Sequence, residues 1–329
     1  MRLAAIASSV PATKLDAGQV AEMVGATAAF IETKVGSRER YVLGPDEGGV
    51  DLAAAACRRV FESSDFAAAD TDMLLCVTQT PDYRIPHNSA LLQHALELPT
   101  SCATFDISLG CSGYVYALSV AKGLMAVQGY RQGLIVTVDP YSKIMDASDK
   151  NTMAVFGDAA SATLVREDTG ASIGFADLGT DGTQAMDLTV PAGGAVNPLY
   201  SIHDDKPVTF EKGDAALHMY GRGIFNFVMN NVPTSIKTCL EKNELSLDDI
   251  DYFALHQGSY YMLNALAKQV GIPKEKMLYN IERFGNTVSS TVPMLLEDVI
   301  SSGRAEAGTK VLVSGFGVGL SWATNIVYF

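Results

Sequence analysis

The chain is poor in cations. Its 329 residues include 24 Lys and Arg against 37 Asp and Glu, a net charge of −13. A nucleic-acid groove or an anionic membrane surface attracts proteins through an excess of positive charge, so neither is an expected partner. No apolar run approaches the roughly 18 residues that a membrane-spanning helix requires, and no membrane segment is predicted.

Cysteine and histidine are also scarce, with five of each. An odd number of cysteines, most of them in apolar or helical runs, argues against a disulfide framework and predicts free thiols in a reducing, cytoplasmic setting. The first seven residues faintly resemble a secretory signal, but Ser8, Ser9 and Pro11 interrupt them, which favours a first β-strand. His87 and His94 could share one helix face without a third ligand nearby, so no metal site is predicted.

What the chain does contain is a hidden repeat. Residues 66–80 and 245–258 each lead from an acidic turn into a buried strand, with Asp72 and Asp251 in equivalent places. Later elements recur in the same order at an offset near 175 to 179 positions. The repeat predicts two copies of one α/β unit, residues 1–168 and 169–329. Equivalent loops of the two halves should then meet at a shared seam.

One cysteine stands where a nucleophile is expected. Cys111 follows a strand-like stretch that ends at Leu109, and residues 115–127 continue at helical spacing. Gly110 and Gly113 allow a tight turn between strand and helix. At a helix N-terminus the dipole and the unpaired N–H groups favour the thiolate, the form that attacks thioesters. The pattern predicts a catalytic thiol, although an arbitrary buried cysteine is more often structural.

Three short motifs together carry a resemblance to a known family. Cys111 is followed along the chain by Leu255-His256-Gln257-Gly258 and then by Phe284-Gly285-Asn286-Thr287. With these motifs the chain resembles the thiolase superfamily of condensing enzymes, and most closely its β-ketoacyl-ACP synthase III branch, over essentially its whole length. The resemblance implies an α/β, thiolase-like fold in which two duplicated halves pack as a five-layer αβαβα sandwich. It also implies a homodimer.

The resemblance assigns a role to each motif residue. Cys111 would take an acyl group from acyl-CoA, and the backbone N–H groups of Cys111 and Val318 would form the oxyanion hole. His256 and Asn286 would donate hydrogen bonds to the thioester carbonyl of malonyl-CoA or malonyl-ACP, stabilising the enolate that forms as CO2 leaves. No cofactor is implied beyond these CoA and acyl carrier protein thioesters, which are substrates.

The substrate-binding positions depart from the family's pattern. The family's acyl-CoA mouth has a Trp and an Arg that sandwich the adenine, and the matching positions here hold Phe30 and Lys150. A basic residue that helps to dock the acidic carrier protein is replaced by Tyr261. Ile85 matches the loop with which one subunit closes its neighbour's acyl pocket. The resemblance adds three further substrate-binding candidates, Lys34, Phe316 and Gly317.

A long connection lies between the two halves. Residues 179–215 are rich in Gly, Pro and Asp and lengthen the interval between Cys111 and His256. Long connections of this kind tend to be lids or binding walls, so we expect this one to modify the acyl or acceptor pocket.

The sequence leaves two other functions open beside decarboxylative Claisen condensation in fatty-acid or specialised lipid and secondary-metabolite biosynthesis. The acyl group on Cys111 could pass to an alcohol or amine, with His256 as general base. Alternatively, the chain could be a non-catalytic subunit of a synthase heterodimer. Such subunits typically lose the nucleophile, and the intact set of Cys111, His256 and Asn286 argues against that role.

Overall fold

The structure, a computed structural model, describes residues 1–198 and 212–329. Its strands are β1 (Arg2–Ser9), β2 (Thr13–Asp16), β3 (Glu39–Val42), β4 (Met73–Val77), β5 (Ala103–Ile107), β6 (Gln132–Val138), β7 (Ala160–Arg166), β8 (Ala171–Ile173), β9 (Asp177–Thr180), β10 (Leu188–Thr189), β11 (His218–Met219), β12 (Tyr252–Leu255), β13 (Lys310–Gly317) and β14 (Ser321–Tyr328). Its α-helices are α1 (Ala17–Met23), α2 (Ala28–Phe30), α3 (Gly49–Glu62), α4 (Asn88–Ala95), α5 (Gly113–Gln128), α6 (Lys150–Met153), α7 (Gly221–Lys242), α8 (Tyr260–Val270), α9 (Ile281–Phe284) and α10 (Thr291–Ser301).

One sheet runs through both halves in the order β12-β13-β14-β8-β1-β7-β6-β4-β5. In the first half β5, β4 and β6 are parallel, whereas β7 is antiparallel to both β6 and β1. In the second half β12 and β13 are parallel, and β14 is antiparallel to β13 and β8. A parallel bridge between Phe253 and Met277 takes the place beside β12 that β5 has beside β4. The two halves therefore repeat one strand order, as the sequence repeat predicts.

Burial on both faces explains why the central strands are mostly apolar. All residues of β4 and β6 are buried, as expected for parallel strands that are covered on both faces. Helices α3 and α4 pack against strands of the first half in one hydrophobic core. Helices α7 and α8 pack against strands of the second half in another. Helices α5 and α10 share a third core with strands of both halves. These are the five predicted layers, and the boundary between residues 168 and 169, in the turn between β7 and β8, stays a prediction.

The two central helices position the loops at the seam. Cys111 lies two residues before α5, and Asn286 lies just before a 3-10 turn (Val288–Ser290) that leads into α10. The end of β13 passes so close that a Cβ on Gly315 would come within 2.5 Å of the Cys111 carbonyl oxygen. Glycine at this position therefore lets the second half of the chain approach the backbone of Cys111.

The prediction of one long connection over residues 179–215 was wrong in part. Strand β9 joins the sheet beside β14, and β10 pairs with β11 through Leu188 and Met219. Backbone pairing with distant strands, which local composition does not reveal, gives these short segments their structure. Residues 199–211 of the interval lie outside the described residues. Across the two described ranges, no helix is both long and apolar enough to cross a membrane.

The contact between Gly315 and Cys111 can be tested by a pair of glycine substitutions. We expect Gly315→Ala to lower the free energy of unfolding by about 1–3 kcal/mol, because its Cβ would meet backbone atoms of Cys111 and Ser112. Gly123→Ala, in an open position of α5, should instead raise it by about 1 kcal/mol. Urea unfolding measures both. Equal midpoints for Gly315→Ala and the unmodified protein would contradict the close approach.

Candidate active site

Three of the predicted residues line one cavity. Cys111, His256 and Asn286 line a cavity of about 360 Å³, and their exposed fractions are only 4%, 3% and 4%. Phe316 and Gly317, two of the substrate-binding candidates, line the same cavity. The structure thus brings together residues that are up to 206 positions apart in the sequence (317 − 111). A reaction in this cavity proceeds away from bulk water.

The protonation of Cys111 differs from the expected thiolate. Burial, together with the negative charge of Asp139, raises the pKa of the Cys111 thiol to about 12. The backbone N–H groups of Cys111 and Val318 lower this pKa, as expected for a helix N-terminus, but their effect is smaller than that of burial. At neutral pH the resting residue is therefore a thiol, and its attack on a thioester requires a proton acceptor.

The same two N–H groups mark a site for an oxyanion. Both are directed at the sulfur of Cys111, one from the residue itself and one from the turn after β13. A Cβ on Gly317 would lie 2.9 Å from the Cys111 Cβ and Sγ atoms, so a side chain here would push the turn away. Two preorganised backbone donors beside the nucleophile are the arrangement that stabilises a tetrahedral intermediate.

His256 is buried and neutral. Burial lowers the pKa of its imidazole to about 3, and a contact with the Val288 carbonyl raises the pKa to a smaller extent. Its Nδ1 atom lies 2.7 Å from Thr291 Oγ1, and this hydroxyl donates to the Val288 carbonyl at 3.1 Å. Because the Thr291 hydroxyl donates its hydrogen to Val288, its oxygen is left to accept a hydrogen bond from His256. The proton of the neutral imidazole is therefore assigned to Nδ1. The lone pair of Nε2 is then available on the other side of the ring.

Asn286 is fixed through its backbone and its side-chain oxygen. Its N–H donates to the Val155 carbonyl at 3.0 Å, and its own carbonyl accepts the Gly157 N–H at 2.9 Å. Its Oδ1 accepts the Val288 N–H at 2.9 Å. With the oxygen occupied in this way, the amide group of Asn286 keeps its Nδ2 donors for the cavity.

A second cavity adjoins the first and contains two of the predicted substrate-binding residues. Phe30 and Lys150 both line a space of about 390 Å³, and Val155 lines this cavity as well as the one at Cys111. Phe30 is 48% exposed, so its ring offers a face for stacking. Lys150 supplies a cation without the planar guanidinium of an arginine.

Of the two remaining substrate-binding candidates, Lys34 lies near the cavity of Cys111 and Ile85 lies on the protein surface. Lys34 Nζ lies 5.7 Å from the ring centroid of Tyr261, and Tyr261 lines the cavity of Cys111. Lys34 therefore lies at the mouth, held over an aromatic ring. Ile85 is 86% exposed and does not line either cavity of this chain.

Two residues next to the site were not predicted. Thr291 binds His256, and the Asp139 charge raises the Cys111 pKa. Asp139 follows the fully buried strand β6, and polar residues at the carboxyl ends of parallel strands are often functional, so this signal was present in the sequence. The sequence gives no comparable sign of a functional role for Thr291, because a threonine at the start of a helix is usually interpreted as an N-cap. Among the described residues, no group of three or more His, Cys, Asp or Glu could hold a metal ion.

Comparison with known proteins gives a consistent result. Residues 105–182 match the family model described as 3-oxoacyl-[acyl-carrier-protein (ACP)] synthase III, and residues 240–329 match the model of its C-terminal part. A β-ketoacyl-[acyl-carrier-protein] synthase III from Streptococcus gordonii is 32% identical over 99% of this chain and 98% of its own length.

Solved structures with similar functions share the fold. A crystal structure of a 3-oxoacyl-(acyl-carrier-protein) synthase III superposes with a TM-score of 0.92 and 38% identity, covering 100% of this chain and 99% of the other. The priming β-ketosynthase of the R1128 polyketide biosynthetic pathway gives a TM-score of 0.88 and 27% identity, covering 100% and 96%. The predicted thiolase-like fold is thereby confirmed.

The raised pKa of Cys111 predicts a particular pH dependence of alkylation. The rate with iodoacetamide should climb about tenfold per pH unit between pH 6 and pH 10, because the thiolate fraction rises in that proportion below the pKa. Mass spectrometry of the peptide containing Cys111 measures the rate, and Cys111→Ala supplies the background. A plateau with a midpoint between pH 6 and pH 8 would show instead that the helix N-terminus outweighs burial.

Proposed function

Because the chain belongs to the 3-oxoacyl-[acyl-carrier-protein] synthase III family of acyl-transferring condensing enzymes, we propose specific roles for its residues. Cys111 carries the acyl group, His256 and Asn286 activate the second thioester, and the N–H groups of Cys111 and Val318 bind the oxyanion. The observation that carries this proposal is the shared cavity of Cys111, His256 and Asn286, which places thiol, imidazole and amide in one space.

Acylation begins with a proton transfer. The Nε2 lone pair of neutral His256 accepts the Cys111 proton, which the buried thiol does not release to water at neutral pH. The sulfur attacks the thioester carbonyl of acyl-CoA, and the resulting oxyanion accepts hydrogen bonds from the N–H groups of Cys111 and Val318. The intermediate collapses to the acyl-cysteine, and the CoA thiolate leaves and takes a proton from solvent.

Condensation uses the proton that His256 has gained. With N–H on both ring nitrogens, His256 joins Asn286 in donating to the carbonyl oxygen of a malonyl thioester. The donors stabilise the enolate as the bond to CO2 breaks, and the enolate carbon attacks the acyl-cysteine. The β-ketoacyl thioester leaves, and the proton returns from His256 to the Cys111 sulfur. Protons and electrons therefore balance over the cycle.

The two adjoining cavities support an acyl-CoA donor. The cavity of Phe30 and Lys150 offers a stacking face and a cation for an adenine nucleotide, and it adjoins the cavity of Cys111 through Val155. The malonyl acceptor carries either CoA or an acyl carrier protein. The exposed apolar side chains of Ile85 and Tyr83, 86% and 60% exposed, support a homodimer in which a second copy covers this loop.

The chemical roles are tested by intact-protein mass spectrometry. We expect a panel of acyl-CoAs to add an acyl mass that is absent in Cys111→Ala, and malonyl-CoA or malonyl-ACP to discharge it with release of CO2. Asn286→Asp should acylate normally but lose condensation by about 100-fold or more, because a carboxylate cannot donate to the enolate oxygen. Equal loss of both steps would contradict the assigned role, and discharge by an alcohol or amine alone would favour simple acyl transfer.

The CoA site is tested by shortening the side chain of Phe30 and, separately, the acyl donor. Stacking of a base on an aromatic ring contributes about 1–3 kcal/mol, so we expect Phe30→Ala to raise the KM for acyl-CoA at least about fivefold. The KM for the matching acyl-pantetheine, which lacks the nucleotide, should not rise. Steady-state kinetics with both donors make the comparison. A parallel rise for both would show that Phe30 supports the tunnel and not the adenine.

A further inference from the structure

Asp139 is a buried acid with no role in the steps described above. Asp139 has no exposed surface, and burial raises the pKa of its carboxyl to about 7. Cys76, Cys111, Tyr141 and Asp158, all of them acids, interact with it electrostatically. A buried carboxylate among other acids is costly, so its retention calls for compensating hydrogen bonds.

Those hydrogen bonds connect the two halves of the site. Oδ1 of Asp139 accepts the Gln79 N–H at 2.7 Å, next to β4 in the first half. Oδ2 accepts the hydroxyl of Ser289, and the Ser289 N–H is also directed at the carboxylate. Ser289 belongs to the turn that follows Asn286 in the second half. The carboxylate therefore joins the end of β6 to the segment that presents Asn286.

That segment contains a residue in a strained backbone conformation. Val288 has φ of +53°, in the left-handed region, which costs a β-branched residue about 1–3 kcal/mol. Its N–H binds Asn286 Oδ1, and its carbonyl accepts the hydroxyl of Thr291, which in turn binds His256. The conformation of one residue thus orients both His256 and Asn286. Such a conformation persists only where neighbouring contacts hold it, and Ser289, the next residue, is held by Asp139.

We propose that Asp139 is a positioning residue. By holding Ser289 it keeps Val288 in the left-handed conformation, and so keeps His256 and Asn286 directed at the cavity. The proposal rests on the proposed function. The negative charge of Asp139, which raises the pKa of Cys111, supplies a second readout that does not depend on condensation.

In Asp139→Asn the alkylation rate of Cys111 and the rate of condensation should change in opposite directions. Loss of the carboxylate removes a negative charge near the sulfur, so alkylation of Cys111 at pH 8 should accelerate, about tenfold for each unit by which its pKa falls. Loss of the strong acceptor for Ser289 should lower the kcat of condensation by about 10- to 100-fold, because misplaced donors are costly. The KM for acyl-CoA should be little changed. Slower alkylation, or an unchanged kcat, would overturn the proposal.

Two further variants separate positioning from general damage. Ser289→Ala removes the other end of the contact, so its loss of kcat should not add to that of Asp139→Asn in a double-mutant cycle. Asp158→Asn is the matched control, because this buried carboxylate binds Leu43 and Ser142 instead of the Asn286 segment. It should retain the kcat of the unmodified enzyme. Additive losses, or an equal loss in Asp158→Asn, would contradict the assigned link.

The pH profile and a crystal structure of Asp139→Asn complete the test. In the unmodified enzyme, condensation kcat should fall as pH drops through about 7, because a protonated Asp139 is a weaker acceptor for Ser289; Asp139→Asn should lack this step. In its crystal structure, Val288 should leave the left-handed region, and retention of its φ would refute the positioning role. If the unmodified enzyme condenses no thioester, the proposed function fails, while the alkylation rates and this crystal structure still decide the inference.

Discussion

The close approach of β13 to the backbone of Cys111 is the constraint on which the site depends. Gly315 and Gly317 leave no room for a side chain between the second half of the chain and the nucleophile of the first. The turn that follows can therefore direct the Val318 N–H at the same point as the Cys111 N–H. In the proposed mechanism the oxyanion site is made from both halves, which explains why a duplicated fold suits this chemistry, since neither half supplies both donors.

Burial sets the electrostatics of the site. It raises the pKa of Cys111 and lowers that of His256, so the resting cavity contains two neutral groups and not an ion pair. Among buried side chains each hydrogen bond to a developing negative charge is stronger than in water. The thiol gains protection from solvent at the expense of intrinsic reactivity, and in the proposed mechanism His256 offsets this loss by accepting its proton.

Much of the fold and site could be predicted from the sequence because the relevant signals are local or repeated. Gly110 and Gly113 around Cys111 mark a strand-to-helix joint, and the offset of 175 to 179 positions marks the duplication. The pKa of Cys111 was predicted in the wrong direction, because burial depends on contacts with distant segments such as Gly317. The contact between Thr291 and His256 depends in the same way on tertiary structure, and a single sequence does not show it. The position of Asp139 at the end of a buried strand is visible in the sequence, but its bond to Ser289 is not.

A crystal structure of the chain acylated at Cys111 tests the central claim most directly. The account predicts that the acyl carbonyl oxygen lies about 3 Å from both backbone nitrogens, those of Cys111 and Val318, in the position of an oxyanion. His256 and Asn286 should then remain unoccupied and face the empty part of the cavity. An acyl oxygen bound instead by His256 and Asn286, with the Val318 N–H turned away, would contradict the division of labour between the two halves.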